Sequence, residues 1–317
     1  MVLLYQNPPV SVYGFNYRIG SLRRDLTQLR SENVLVNTEE TLRALGYRYS
    51  WSLGKDETLL SLTTAPVAAT LAQTGEPRAL VFQHCHAESA VLPVEPGDTV
   101  GASRDHYFAA RVMQELNLDH VAYFCSFASG CAGFLSLQIT AGGLFSSSDE
   151  RPILCAMADC RPDSSLPFDL LRERILGSDH SSAFVVGHGK RGYQLLGVDY
   201  YSTTRTLVPL VEIVKLTVKM MQGLATELDL DLVGADVAIH YPNIFPETWK
   251  MVTRYLRLPR VEHITDEFAE RAHCGATDSV ISLAKWHRGQ AGRLHFVVNY
   301  GVGLHLGVCL LREHGNN

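Results

Sequence analysis

The sequence predicts an α/β fold with mixed sheets, and three observations carry that expectation. Short apolar runs recur along the chain, they alternate with stretches of helical spacing, and no Pro- or Gly-rich linker or low-complexity tract interrupts the alternation. The strand-like runs are 79–83, 121–125, 153–158, 182–186, 237–239 and 294–299. They are almost continuously apolar, which predicts strands covered on both faces. The helical stretches are 58–73, 104–117, 208–228 and 276–287; the third places Val211, Val214, Val218 and Leu224 at helical intervals. Each half of the chain leads from a strand into a reactive turn, then a helix, then further strands. This points to an internal duplication, which residue identity between the halves does not by itself establish.

Composition excludes several classes. The chain has 317 residues, 46% hydrophobic and 19% charged, enough to bury a sizeable core. Its net charge of −5 and the absence of a long basic run argue against a nucleic-acid surface. The seven cysteines (Cys85, Cys125, Cys131, Cys155, Cys160, Cys274 and Cys309) are odd in number and form no repeated CxxC pair, so neither a disulfide framework nor a structural zinc site is expected. No metal is expected at His84-Cys85-His86 either, because no further ligand is near in sequence. The first residues have no basic region before an apolar stretch; with free thiols, this predicts a reducing, cytoplasmic setting. Residues 121–148 carry no charge, but their Ser, Gly and Gln residues favour a buried strand running into a buried helix over a membrane span.

The most informative segment is Phe124-Cys125-Ser126-Phe127-Ala128-Ser129-Gly130-Cys131-Ala132-Gly133-Phe134. A strand ends, small residues turn the chain, and a helix begins close to Cys131. A thiol at a helix N-terminus is biased towards thiolate, the nucleophilic form. Gly130 and Gly133 permit close approach of a substrate carbonyl, and the backbone N–H of Cys131 is placed to stabilise an oxyanion. Cys125, inside the strand, reads as structural.

Gly130-Cys131-Ala132-Gly133-Phe134 resembles the nucleophile motif of the ketoacyl-ACP synthase III enzymes of the thiolase superfamily. Residues 176–186 resemble that family's entry into a following strand, and 296–308 its closing Gly-rich hairpin. His240-Tyr241-Pro242-Asn243 resembles its HxxN motif, which implies a catalytic role for His240 and an orienting one for Asn243. The chain departs from the family where an Asn is usual: no Asn lies between His263 and Asn299. In its place His273 is followed five residues later by Asp278, which resembles a branch of specialised biosynthesis that uses Cys, His and Asp for acyl transfer. In physical terms Asp278 would fix the imidazole tautomer and His273 would activate Cys131 or the acceptor. The turn Gly301-Val302-Gly303 would bring the backbone N–H of Val302 beside that of Cys131, with Gly301 and Gly303 against the substrate.

The resemblance implies the five-layer αβαβα thiolase architecture, with residues 1–190 as the half carrying the nucleophile and 191–317 as the half carrying the catalytic histidines. It implies an acyl-Cys131 intermediate loaded from acyl-CoA or an acyl carrier protein. The acceptor chemistry stays open between decarboxylative carbon–carbon condensation and transfer to oxygen or nitrogen. No permanently bound cofactor is implied; coenzyme A or a phosphopantetheine thioester is the substrate. A homodimer, or a heterodimer with a related chain, is the implied assembly, and a non-catalytic partner subunit is the rival reading. Arg205, Arg254, Arg257 and Arg260 are candidates for coenzyme phosphates, although the family's Arg after its HxxN motif is absent here.

Overall fold

The computed structural model describes every residue except 6–7, 91–106, 128, 146–148, 162–168, 171–173, 205–207, 266, 302–304 and 316–317. Ten strands carry the architecture. In the first half they are β1 (Val10–Ile19), β2 (Ala79–Gln83), β3 (Ala122–Ser126), β4 (Ile153–Asp159) and β5 (His180–Gly187). In the second half they are β6 (Tyr193–Ser202), β7 (Val237–His240), β8 (Val261–Ile264), β9 (Leu294–Gly301) and β10 (His305–Glu313).

Their pairing reveals the duplication that residue identity hides. The first half runs β3-β2-β4-β5-β1 and the second β8-β7-β9-β10-β6. In both, the first three strands of that order are parallel and the last two pair antiparallel. The halves join where Tyr193–Leu195 of β6 pairs antiparallel with Val10–Val12 of β1. A short strand, Val2–Leu4, adds to β6.

Helices repeat the same plan. α1 (Leu59–Thr74) and α2 (Phe108–Glu115) pack outside the first half-sheet through Val67, Phe108 and Val112 on Leu80, Phe82 and Leu154. α4 (Leu210–Glu227) and α5 (Pro246–Leu256) cover the second through Val214, Met221 and Trp249 on Val237, Ile239 and Phe296. Between the half-sheets lie α3 (Gly133–Leu144) and α6 (Thr277–Trp286). Phe134, Leu137, Val280 and Leu283 from these two share one core with Val12 and Met157 of the first half and Val297 and Cys309 of the second. The layers are therefore α-β-α-β-α. A helix held between two sheets is apolar all round, which is why α3 carries no charge. No helix among the described residues is long and apolar enough to cross a membrane.

One strand departs from the expected burial. Residues 121–125 were expected to be covered on both faces, yet Ala122, Tyr123, Phe124 and Cys125 are all exposed. The run is apolar, but among the described residues β3 is the outer edge of its half-sheet and pairs only with β2. Cys125 is accordingly exposed rather than packed.

Candidate active site

Cys131 sits in a single 3₁₀ turn, Gly130–Ala132, that runs directly into α3. Its position needs two close approaches. Gly130 has a φ of +50°, which favours glycine. A Cβ on Gly133 would stand 2.1 Å from Oε1 of Gln83, so only glycine leaves room for that side chain. Gln83, the last residue of β2, uses the room to donate its amide to Gly130 O at 3.1 Å and to His84 O at 2.9 Å, tying the turn to the sheet. From the other half, Gly301 at the end of β9 lies against the turn; a Cβ there would be 2.8 Å from Ser129 O.

The second half contributes a loop between β8 and α6. His273 hydrogen-bonds backbone to backbone on both sides, donating its N–H to Leu176 O at 3.0 Å and accepting from Ser178 N at 2.9 Å. Ala272, just before it, has a φ of +53°, strained for an L side chain. Asn243 holds that strained residue by donating its amide to Ala272 O at 2.9 Å. So fixed, Nε2 of His273 lies 3.0 Å from Sγ of Cys131 and Nδ1 lies 2.6 Å from Oδ2 of Asp278. Asp278, in the first turn of α6, also accepts from Asn243 N (2.8 Å), Cys274 N (3.1 Å) and the guanidinium of Arg271. The internal repeat explains the meeting: α3 and α6 occupy equivalent places in the two halves, so the thiol and the carboxylate both stand at helix starts in the central layer.

The electrostatics favour a thiolate–imidazolium pair. The neighbouring Cys85 lowers the pKa of Cys131; burial opposes it, and the charge and hydrogen bond of His273 add to it, leaving the thiol well below its ordinary range. Burial disfavours charge on His273, but Cys131 and Asp278 outweigh it and raise the imidazole to about 10. Burial likewise opposes the Asp278 carboxylate, yet Arg271 and His273 hold it well below the usual carboxylate range. The carboxylate fixes the tautomer of His273 and leaves Nε2 to manage a proton at sulfur.

Among the described residues His240 makes no hydrogen bond to the thiol. Its Nδ1 lies 2.7 Å from Ser282 Oγ and its Nε2 lies 2.9 Å from Nδ1 of His295, whose own Nε2 lies 3.1 Å from Glu313. The reason is level rather than direction. His240 faces α6, but meets it at Ser282, one helical turn beyond Asp278. Burial, followed by the neighbouring His295 and Arg293, holds its pKa well below normal, so it is neutral. Asn243 orients the site through Asp278 and Ala272 and makes no hydrogen bond to Cys131 among the described residues. Val302 and Gly303 lie outside the described residues, as does Arg205. Gln83, Arg271 and Cys85 were not anticipated; the requirement for glycine at 133 was the only sequence signal of the first. Among the described residues no group of His, Cys, Asp or Glu could hold a metal ion.

No family model and no curated protein matches the sequence. Solved structures do match. 3-Oxoacyl-[acyl-carrier-protein] synthase III from Aquifex aeolicus VF5 superposes with a TM-score of 0.71 at 16% identity, covering 96% of this chain and 99% of that one. ChlB3, described as an acyltransferase, gives 0.75 at 14% identity over 97% and 98%. A variant of OleA from Xanthomonas campestris gives 0.71 at 15% over 98% and 99%. Near-complete coverage of both chains, the duplicated strand order and the central pair of helices agree: this chain has the thiolase-type fold of the ketoacyl-ACP synthase III structures.

Proposed function

We propose that this protein is an acyltransferase that carries its acyl group as a thioester on Cys131. The observation supporting this reading is the unbroken chain Cys131–His273–Asp278, with contacts of 3.0 and 2.6 Å. The thiolate attacks the carbonyl carbon of an acyl-CoA or acyl carrier protein thioester. The carbonyl oxygen takes the negative charge, facing the backbone N–H of Cys131 at the turn that starts α3. Collapse forms the Cys131 thioester and breaks the donor C–S bond; His273 gives its Nε2 proton to the departing thiolate. Neutral His273 then takes the proton of an acceptor hydroxyl or amine as that group attacks the acyl carbon; the acyl–sulfur bond breaks, releasing Cys131 as thiolate beside the re-formed imidazolium.

Transfer to oxygen or nitrogen is favoured over decarboxylative condensation. One histidine, backed by a carboxylate, stands at the thiol, while His240 is bound to Ser282 and His295. A general base held by Asp278 suits a proton-bearing acceptor; a carbanion acceptor brings no proton to remove. The complete chain of catalytic groups also speaks against a purely non-catalytic partner subunit. The edge strand β3, apolar and exposed, suits pairing with a second copy of the chain.

The test is intact-protein mass spectrometry after incubation with a panel of acyl-CoA and acyl carrier protein thioesters. Acylation that maps to Cys131 and vanishes in Cys131→Ala supports the reading. Equal acylation of that variant would end it.

A further inference from the structure

A second thiol stands beside the first. The side chain of Cys85 lies beside that of Cys131, close enough that each perturbs the ionisation of the other. Cys85 follows β2 by two residues, and its place is set by its backbone. Its N–H donates to both carboxylate oxygens of Asp159, at 3.0 and 2.8 Å, and His86 N donates to the same carboxylate at 2.9 Å. On the catalytic-loop side, its sulfur lies 3.3 Å from where a Cβ on Gly275 would stand. Gln83, which ties down the nucleophile turn, lies 4.0 Å from the same sulfur. Cys85 is thus wedged between the turn carrying Cys131 and the loop carrying His273. Cys274 is also nearby in sequence, but its thiol is buried against Arg271 O at 3.8 Å.

The two thiols have opposite characters. Cys131 is held as thiolate. Cys85 is pushed towards the thiol, chiefly by the neighbouring Cys131, then by burial and by the charge of Asp159. This division is what a reactive thiol and a resolving partner need. We infer that Cys85 is the resolving thiol of Cys131, so that hydrogen peroxide converts the pair into an intramolecular disulfide that masks the nucleophile reversibly. The inference rests on the reading of Cys131 as the reactive thiolate.

The chemistry balances in two steps. The Cys131 thiolate attacks one oxygen of the peroxide; an S–O bond forms, the O–O bond breaks, and the departing hydroxide takes a proton from His273 to leave as water. The product is Cys131 sulfenic acid. Cys85 then attacks that sulfur; the S–S bond forms, the S–O bond breaks, and the thiol proton leaves with the hydroxyl as a second water. Two thiols lose two electrons and one peroxide gains them. Oxidation of Cys131 also removes the thiolate that held the proton on Cys85, which frees Cys85 for the second step.

The test treats the full chain with hydrogen peroxide, then reads intact mass, non-reducing peptide maps and iodoacetamide labelling before and after dithiothreitol. Wild type should lose about 2 Da, yield a peptide linked through Cys85 and Cys131, and regain labelling at Cys131 on reduction. Cys85→Ser should instead gain about 32 or 48 Da at Cys131 and stay unlabelled after reduction. If Cys85→Ser does not fold, Cys85→Ala serves, and the linked wild-type peptide decides by itself. Over-oxidised wild-type Cys131 without a linked peptide overturns the inference, as does full recovery of Cys85→Ser. Absence of labelling at Cys131 in untreated wild type would instead count against Cys131 as a reactive thiolate, so the two failures are told apart.

Discussion

Nδ1 of His273 and Oδ2 of Asp278 lie 2.6 Å apart, and that same oxygen accepts the backbone N–H of Asn243 at 2.8 Å. With Nδ1 so engaged, the ring has one way to face, and Nε2 meets the sulfur of Cys131 at 3.0 Å. The other carboxylate oxygen is taken by Arg271 and by the N–H of Cys274. Asp278 therefore joins three pieces of chain as well as setting one tautomer, and its substitution has two separable consequences.

Asp278→Asn should lower the rate of Cys131 acylation by roughly 10²–10⁴-fold, the range expected when a general acid–base loses its orientation. It also strips the buried Arg271 of one of its two carboxylate partners, Glu267 being the other. Removing one member of a buried ion pair costs roughly 3–5 kcal/mol. Stopped-flow acylation, read on protein that circular dichroism shows to be folded, separates the two. Wild-type acylation in the folded variant would remove Asp278 from the mechanism.

The charges of the pair predict a pH signature. Cys131 is depressed and His273 raised to about 10, so the folded pair holds one proton, on the imidazole, through neutral pH. Iodoacetamide alkylation of Cys131 should therefore stay fast well below the ordinary thiol pKa of about 8.5, and fall only in acid. Stability follows by linkage. The raised His273 contributes fully below about 6.5 and loses its contribution as pH climbs through about 10. The depressed Cys131 contributes fully above about 8.5 and loses its contribution as pH falls. The sum is flat between those ordinary values and declines on either side. Denaturant melts from pH 5 to 10 check this by comparison with Cys131→Ala, whose curve lacks the thiolate component.

Much of this was legible in the residues. The turn at Gly130–Gly133 and the central helix without charge follow from local spacing, the pairing of His273 with Asp278 was implied by the resemblance, and the structure brings Cys131, His273 and Asp278 together. The duplication was only hinted at, because it resides in strand order and pairing rather than in shared side chains. The partners of His240 were hidden for a related reason. Alternation along β7 directs it towards the central layer, but the level at which it meets α6 depends on the register of β7 against β9, where it lies opposite Val297. The exposure of β3 depends on what lies beyond it in space, and an apolar run reads alike at the edge and in the middle of a sheet.

His240→Ala tests whether His240 takes part in loading. Removing the ring leaves Ser282 and His295 short of a buried partner, at a cost of roughly 1–3 kcal/mol. Acylation at Cys131 should nonetheless stay within a few-fold of wild type at a temperature where the variant is folded. Thermal melts with loading kinetics on one preparation check both. A large loss of loading in folded protein, with little change in melting, would return His240 to the catalytic machinery.

The edge strand β3 supports a final prediction. Tyr123 and Phe124 are adjacent and therefore point to opposite faces, yet they are 41% and 43% exposed. With Phe127 at 50%, the edge offers backbone that no other described strand pairs, between two apolar faces, an arrangement prone to pairing with another strand. A second copy, running antiparallel, would satisfy both backbones and bury both faces. The purified protein should then sediment at twice its chain mass of 35.1 kDa. Phe124→Lys places a charge in each copy at that contact, and a cost of about 1.4 kcal/mol already weakens association tenfold. Sedimentation velocity over a dilution series should show the variant dissociating at higher concentration than wild type. A wild-type chain that sediments as a monomer at every concentration would rule out the pairing.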